Sequence, residues 1–88
     1  MSSNEYSNVP DWVKNLKIGE DLVIYFPRQS SVVYAHVADN IVPKDPDYLA
    51  ILTINYKVDN FDKQEELLYD NYSNEDASQS CWYAYQIM

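Results

Sequence analysis

The sequence predicts a mainly β (α+β) fold, with a single small antiparallel sheet or barrel of four or five strands and one or two short helices. The length of 88 residues is typical of one domain with a small core. β-Branched and aromatic residues are concentrated in short runs such as Leu22–Phe26 and Val32–Val37, and this composition favours strands. Apolar and polar residues alternate over Tyr48–Val58, which is the pattern of a strand with one buried face.

A short helix is expected near the start of this domain. Pro10 suits the first helical position, and Asp11 suits the positively polarised end of a helix. Trp12 and Leu16 are four residues apart, so they would share one helix face. We expect about two helical turns that end near Gly19, because glycine readily adopts the left-handed conformation that often follows a helix.

After the helix, the sequence predicts a β-hairpin and two further strands. Leu22–Phe26 and Ser31–Val37 are the strands of the hairpin, and a short polar loop joins them. A second loop at Pro43–Asp47, stiffened by two prolines, precedes the strand Tyr48–Val58. Cys81–Met88 is rich in aromatic residues and predicts a strand that runs to the end of the sequence.

The stretch between the last two strands has a less regular pattern. Its apolar residues have approximately helical spacing, and Asn60 is a suitable N-cap. We therefore predict a helix over residues 61–69, followed by a polar loop over residues 70–80. The alternative interpretation of Leu67–Tyr69 is a short strand.

The order of these elements resembles a known small β architecture. The segment Ile18–Asp21 leads into three closely spaced predicted strands, an arrangement similar to that of SH3-like and Tudor-like barrels. The resemblance covers about 40 residues. It implies an SH3-like barrel of four or five strands as the alternative to an open sheet.

Residues 1–8 are polar and are interpreted as a flexible N-terminal tail, which precedes a single globular domain over residues 9–88. The first residues include neither a basic region nor an apolar stretch, so we expect no signal peptide. No apolar run approaches the ~20 residues of a membrane-spanning helix. Cys81 is the only cysteine, which excludes an internal disulfide and is typical of a cytoplasmic protein.

The sequence contains no motif of catalysis or cofactor binding. Loops that cradle phosphate groups need several glycines, whereas Gly19 is the only glycine. His36 and Cys81 lie in predicted apolar strands and are interpreted as packing residues rather than as a catalytic base and nucleophile. One cysteine and one histidine are too few for a zinc site, and the acids around Glu75 lack the EF-hand spacing. We therefore predict a protein that is not an enzyme and that has no metal and no cofactor.

The net charge is the most unusual property of the sequence, and most of it lies in the last third of the chain. The chain has 14 acidic and 6 basic side chains, a formal net charge of −8. Residues 58–88 contain seven acids and one base, Lys63, and so account for −6 of this total. Arg28 is the only arginine, and so few cations argue against direct binding to nucleic acid or to an anionic membrane.

Two tyrosines lie among these acids. Tyrosine is enriched at protein interfaces because it offers a large contact area with few rotatable bonds. An acidic surface that carries tyrosines would suit a basic protein partner. The predicted partner-binding residues are Asp59, Asp62, Glu65, Glu66, Tyr69, Asp70, Tyr72, Glu75 and Asp76. The alternative is that the charge serves only solubility.

The size, the acidity and the lack of a catalytic motif resemble, in type, the small anti-restriction, anti-CRISPR and glycosylase-inhibitor proteins of phages and plasmids. The resemblance implies an inhibitor that acts as a DNA mimic in the basic groove of a nucleic-acid enzyme or defence protein; immunity proteins against basic nucleases are a close variant. The alternative is a protein-interaction adaptor or structural assembly module, in which Tyr25, Tyr34 and Tyr56 would frame a groove for a peptide or a methylated lysine. Exposed edge strands could also pair two copies into a homodimer.

Overall fold

Five strands form one open antiparallel sheet over the residues that the computed structural model describes, 8–45, 47–77 and 80–87. In chain order the elements are α1 (Asp11–Lys14), β1 (Asp21–Phe26), β2 (Ser31–Ile41), β3 (Ile51–Val58), β4 (Phe61–Leu68) and β5 (Tyr83–Tyr85). The order of the strands in the sheet is β4-β3-β2-β1-β5. The predicted mainly β class is confirmed. The sheet is open rather than closed into an SH3-like barrel, because β4 and β5 lie at opposite edges.

The predicted hairpin of β1 and β2 is confirmed, and it forms the centre of the sheet. Its pairs run from Asp21 opposite His36 to Phe26 opposite Ser31. The connection is a 3-10 turn over Pro27–Gln29, where the fixed φ of proline fits the first position. The two apolar runs and the polar segment between them were therefore sufficient to predict this hairpin.

A bulge in β2 changes which side chains face the core. The pairing of β2 with β3 shifts between Val37 and Asp39. As a result Asn40, opposite Leu52, lies on the same face of the sheet as Val37, opposite Ile54. In a regular strand Asn40 would point to the other face, so the bulge brings a polar side chain into contact with the core.

The helix predicted over residues 61–69 is wrong, because these residues form β4 and the first residue of a 3-10 turn. β4 pairs with β3 along its full length, from Val58 opposite Phe61 to Ile51 opposite Leu68. Most of β4 is exposed, since an edge strand is paired on one side only and commonly carries charged residues. Its charged side chains hide the alternating pattern from which a half-buried strand is normally recognised.

The turn between β3 and β4 depends on two residues in the left-handed conformation. Asp59 has a φ of +53° and Asn60 a φ of +72°, as both central residues of a type I′ hairpin require. We expect Asn60→Ala to lower the free energy of unfolding by about 1 kcal/mol, because alanine resists this conformation more strongly than asparagine does. Urea unfolding followed by circular dichroism measures the loss. Asn60→Gly is the control and should not lower stability; equal losses in both variants would contradict the role of this conformation.

The first and last elements are shorter than predicted. α1 is a single turn, Asp11–Lys14, instead of two turns. β5 comprises Tyr83–Tyr85 within the predicted strand Cys81–Met88, whose last residue lies outside the described part of the chain. Residues 1–7 of the predicted tail also lie outside it. Among the described residues, no helix has both the length and the apolar character needed to cross a membrane.

One face of the sheet, the inner face, carries the core. It is covered by α1 and by the described residues 69–77 and 80–82 of the segment 69–82, which lies in the chain between β4 at one edge and β5 at the other. The buried core residues are Val9, Val13, Leu22, Ile24, Phe26, Ala35, Val37, Ala50, Leu52, Ile54, Leu67, Tyr69, Tyr72, Trp82 and Ala84. The opposite, outer face is open, as the 74% exposure of Tyr34 shows. The environment of each predicted site residue therefore depends on whether it lies on the inner face, on the outer face or at an edge of the sheet.

Candidate functional site

Tyr69 and Tyr72, which the sequence places on the partner-binding surface, lie in the core. Their exposures are 2% and 7%, so the prediction of an exposed position is wrong for both. Both rings pack edge-on against Trp82, with centroid distances of 4.9 Å from Tyr72 and 6.2 Å from Tyr69. These contacts hold the segment 69–82 on the inner face, and they leave the two tyrosines no surface to offer a partner.

Asn40 forms a polar centre between α1 and Tyr69. Its Nδ2 donates hydrogen bonds to the carbonyl oxygens of Val13 (2.9 Å), Leu16 (3.0 Å) and Lys14 (3.3 Å). The hydroxyl of Tyr69 donates to Oδ1 of Asn40, and burial raises the pKa of Tyr69 to about 12. Asn40 therefore satisfies the carbonyl groups at the end of α1. Sequence reasoning missed this residue, because its position depends on the bulge in β2.

Five of the predicted acids lie along one edge of the sheet. Asp59 is in the turn, three acids are in β4 itself, and Asp70 follows the strand. We call this group the acidic edge; it comprises Asp59, Asp62, Glu65, Glu66 and Asp70. All but Glu65 are exposed. Because residues opposite each other share a face, the pairing places Asp62 and Glu66 on the outer face and Glu65 on the inner face.

The other two predicted acids, Glu75 and Asp76, lie outside β4 and the turn that precedes it. Both are exposed and lie in the segment that crosses the inner face. Burial raises the pKa of Cys81, and the nearby Glu75 carboxylate raises it further, which places Glu75 near the β5 side of the sheet. The structure thus divides the nine predicted residues into five edge acids, two acids of the segment that follows Asp70 along the chain, and two buried tyrosines.

Glu65 is the one member of the acidic edge with an internal role. The hydroxyl of Tyr56 donates a 2.7 Å hydrogen bond to its Oε1. Burial, and then this bond to the carboxylate, raise the pKa of Tyr56 to about 12. The Glu65 carboxylate therefore already accepts a hydrogen bond from Tyr56 of β3, whereas the carboxylates of Asp62 and Glu66 are better placed to contact a partner.

Asp62 has a weak partner across the hairpin. Lys57 Nζ lies 3.8 Å from its Oδ1, and the two side chains are 71% and 85% exposed. An exposed pair at this distance contributes little to stability and is readily exchanged for a better partner. Gln64, which lies between Asp62 and Glu66 on the outer face, donates a 3.1 Å hydrogen bond to Asn55. The outer side of β4 thus presents two available carboxylates.

An open cavity of about 390 Å³ lies next to the acidic edge. Its lining residues are Val32, Val33, Tyr34, His36, Asn55, Tyr56, Lys57 and Asp62. Of the three tyrosines predicted to frame a groove, Tyr34 and Tyr56 line this cavity. Tyr25 instead stacks on Tyr83, with 6.5 Å between the ring centroids. The pairing places Tyr34 on the outer face and Tyr56, opposite the buried Ala35, on the inner face. The structure therefore does not bring the three tyrosine rings together around one groove.

The two residues tested as catalytic candidates have different surroundings. Cys81 is fully buried, which confirms its packing role. The packing role predicted for His36 is wrong, because its side chain is 66% exposed and its Nδ1 hydrogen-bonds to the Asp21 carboxylate. Among residues 8–45, 47–77 and 80–87, no three His, Cys, Asp or Glu side chains are grouped so that they could hold a metal ion.

The comparisons with known proteins place the sequence in no established group. No protein-family model matches it, and neither the curated proteins nor the solved structures include one that is significantly similar to it.

Proposed function

We propose that this protein is a small acidic inhibitor that binds the basic nucleic-acid-binding surface of a nucleic-acid enzyme or defence protein. It excludes the nucleic acid in the manner of a DNA mimic, as phage- and plasmid-type anti-restriction and anti-CRISPR proteins do. The observation that carries the proposal is the acidic edge, in which four of five carboxylates are exposed along β4 and its flanks, and no strand of the described residues pairs with the far side of β4. The single, buried cysteine suits the reducing cytoplasm, where we propose that it acts.

The charge density of the acidic edge limits the kind of surface that it can occupy. Asp59 and Asp70 are eleven residues apart, and the residues between them comprise the eight-residue strand β4, with a rise of about 3.3 Å per residue, and shorter turn residues at each end. The edge is therefore roughly 30 Å long. Five carboxylates and Lys63 give it a net charge of −4, or one charge per roughly 8 Å. A duplex carries one charge per about 1.7 Å. The edge therefore suits a patch of about four lysines and arginines within a binding groove, rather than the whole groove.

Electrostatic attraction over this edge would act mainly on the rate of association. Opposite potentials accelerate the encounter of two proteins, and salt weakens this effect because exposed charges are screened. The carboxylates of Asp62 and Glu66 are not held by strong internal ion pairs, so they lose little when a partner's lysine or arginine approaches. Competition with nucleic acid at low salt is the expected consequence.

Two charge-reversed variants test this proposal. The immobilised protein is used to capture partners at low salt, and captured proteins are released with DNA or with salt. We then measure how strongly each variant prevents the captured protein from binding nucleic acid. The edge variant combines Asp62→Lys with Glu66→Lys. The control variant combines Glu75→Lys with Asp76→Lys. Both variants change the net charge by +4, and all four positions are exposed. We expect the edge variant to inhibit about tenfold or more weakly and the control to stay within about threefold of the wild type.

Equal losses in the two variants would show that net charge alone is responsible, and would contradict a role for the edge. A captured partner that neither DNA nor salt releases would favour the second candidate, an adaptor or assembly module. The cavity beside the acidic edge is the observation that favours this second candidate, since the exposed aromatic side chain of Tyr34 and the carboxylate-bearing Asp62 both line it.

A further inference from the structure

The acidic edge combines charge with an unpaired main chain. β4 forms a regular ladder with β3, and no other strand of the described residues pairs with its far side. In a hairpin with a two-residue turn, the residues that flank the turn exchange both of their main-chain hydrogen bonds, and so does every second pair thereafter. Val58 and Phe61 are these flanking residues. The main-chain N–H and C=O groups of Asp62, Gln64 and Glu66 consequently point away from β3.

The free main-chain groups belong to the residues whose carboxylates lie on the outer face. Asp62 and Glu66 are four residues apart, or about 13 Å along a strand, with the neutral Gln64 between them. A strand that paired with this edge would place its own residues directly opposite these three, with side chains on the same face. Lysine or arginine opposite Asp62 and opposite Glu66 would therefore each meet a carboxylate. The residue between them on the added strand would pair with Gln64 through main-chain hydrogen bonds.

The same edge discourages pairing with a second copy of the chain. Two copies of β4 would bring together two strands that each hold three acids and one lysine. In an antiparallel pair centred on Gln64, Asp62 of each copy would face Glu66 of the other, and like charges directly opposite destabilise a sheet. Natural proteins use such charges to keep an exposed edge from self-association. A strand with lysine or arginine at these positions would instead be attracted to the carboxylates of β4.

We propose that the β4 edge binds an extended basic segment of the partner as a sixth, antiparallel strand. The inference rests on the proposed function, since it specifies how the acidic edge recognises its basic partner. Main-chain hydrogen bonds to Asp62, Gln64 and Glu66 supply the strand geometry, and the two carboxylates select lysine or arginine four residues apart. The partner's segment is therefore extended in the complex, rather than a helix or a preformed groove.

A peptide series separates strand addition from simple charge attraction. The probe is a fluorescent eight-residue peptide of alternating lysine and threonine, in three forms: unmodified, methylated on the main-chain nitrogens of its lysines, and methylated on those of its threonines. All three carry the same charge. In the proposed complex the lysines lie opposite Asp62, Gln64 and Glu66, so their N–H groups point at β4 and those of the threonines point away. Fluorescence anisotropy at low salt measures the affinities.

We expect methylation of the lysine nitrogens to weaken binding about tenfold or more, because it removes several hydrogen bonds at once, and methylation of the threonine nitrogens to change it by less than about threefold. Hydrogen exchange followed by NMR provides a second readout. The amides of Asp62, Gln64 and Glu66 should exchange quickly in the free protein and slowly in the complex with the unmodified peptide.

The outcomes distinguish this inference from the proposed function. Equal affinities of the three peptides, or a larger loss from threonine methylation, would overturn the antiparallel strand. Absence of binding by every peptide would also overturn it, while the proposed function would stand if the Asp62 and Glu66 variant still lost inhibition. If that variant inhibited as well as the wild type, the proposed function itself would fail.

Discussion

Replacement of Asn40 by aspartate is expected to lower the free energy of unfolding by about 3 kcal/mol at pH 7. The change exchanges the Nδ2 donor for a carboxylate oxygen that faces the carbonyl groups of Val13, Lys14 and Leu16. Three buried or half-buried acceptors then lose their donor, and a negative charge is placed among them. Urea unfolding at pH 7, followed by circular dichroism, measures the loss.

The loss in the Asn40→Asp variant should become smaller as the pH falls. Carbonyl oxygens around the new carboxyl favour its protonated form and raise its pKa in the folded state. A raised folded pKa stabilises the protein below the unfolded value of about 4, and this stabilisation disappears as the pH rises through the folded pKa. The difference from the wild type should therefore be smaller at pH 4 than at pH 7.

Tyr69→Phe is the matched control for Asn40, because it removes the hydroxyl that donates to Oδ1 and leaves Nδ2 in place. We expect a loss of about 1–2 kcal/mol without the pH dependence of the aspartate variant. A loss below about 1 kcal/mol for Asn40→Asp at both pH values would contradict the role assigned to this polar centre.

Trp82→Ala is expected to bring the domain close to its unfolding threshold. Trp82 is fully buried, its Nε1 donates a 2.8 Å hydrogen bond to the carbonyl oxygen of Leu68, and its ring packs on Tyr69 and Tyr72. Loss of a buried tryptophan typically costs 3–5 kcal/mol. A domain of this length has a total stability of roughly 4–13 kcal/mol, at 0.05–0.15 kcal/mol per residue.

Thermal unfolding of Trp82→Ala should therefore begin near room temperature, in contrast to that of the wild type. Trp12→Ala provides the control, since Trp12 packs on the core but is only partly buried, and we expect about half the loss. If both tryptophan variants lost the same stability, the segment 69–82 would not depend on Trp82 as its central contact.

These two predictions concern the inner face, whereas the proposed binding surface lies on the edge and outer side of β4. Asn40 and Trp82 act through α1 and the segment 69–82, which cover the inner face. Asp62 and Glu66 are exposed and contribute little to this packing. Variants of the edge should therefore change binding without changing stability, and this separation is what makes the charge-reversal experiment interpretable.

Elements whose residues show the composition or alternation typical of strands could be predicted, and the strand that lacks this pattern could not. The β1–β2 hairpin and the buried residues of β3 followed from local composition and alternation. β4 was missed because its strand conformation comes from pairing with β3 through the turn at Asp59 and Asn60, and its charged residues resemble an exposed helix. The Asp-Asn pair was the available signal, since both residues tolerate the left-handed conformation that a type I′ turn requires.

The candidate site shows the same division. The location of the charge in residues 58–88 is a property of the sequence alone. The burial of Tyr69 and Tyr72 and the exposure of His36 could not be inferred locally, because they depend on a segment that crosses the sheet and on the open outer face.

The sequence by itself determined the β class of this protein, its central hairpin and the segment that holds its acids, because each depends on residues close together in the chain. Only the tertiary structure decided that five of these acids follow an edge strand and that the neighbouring tyrosines are buried. The physical reason is that pairing with β3 fixes β4 at the edge, where no other strand of the described part of the chain pairs with its main chain. Burial of their apolar surface in the core, in turn, stabilises Tyr69, Tyr72 and Trp82 on the inner face.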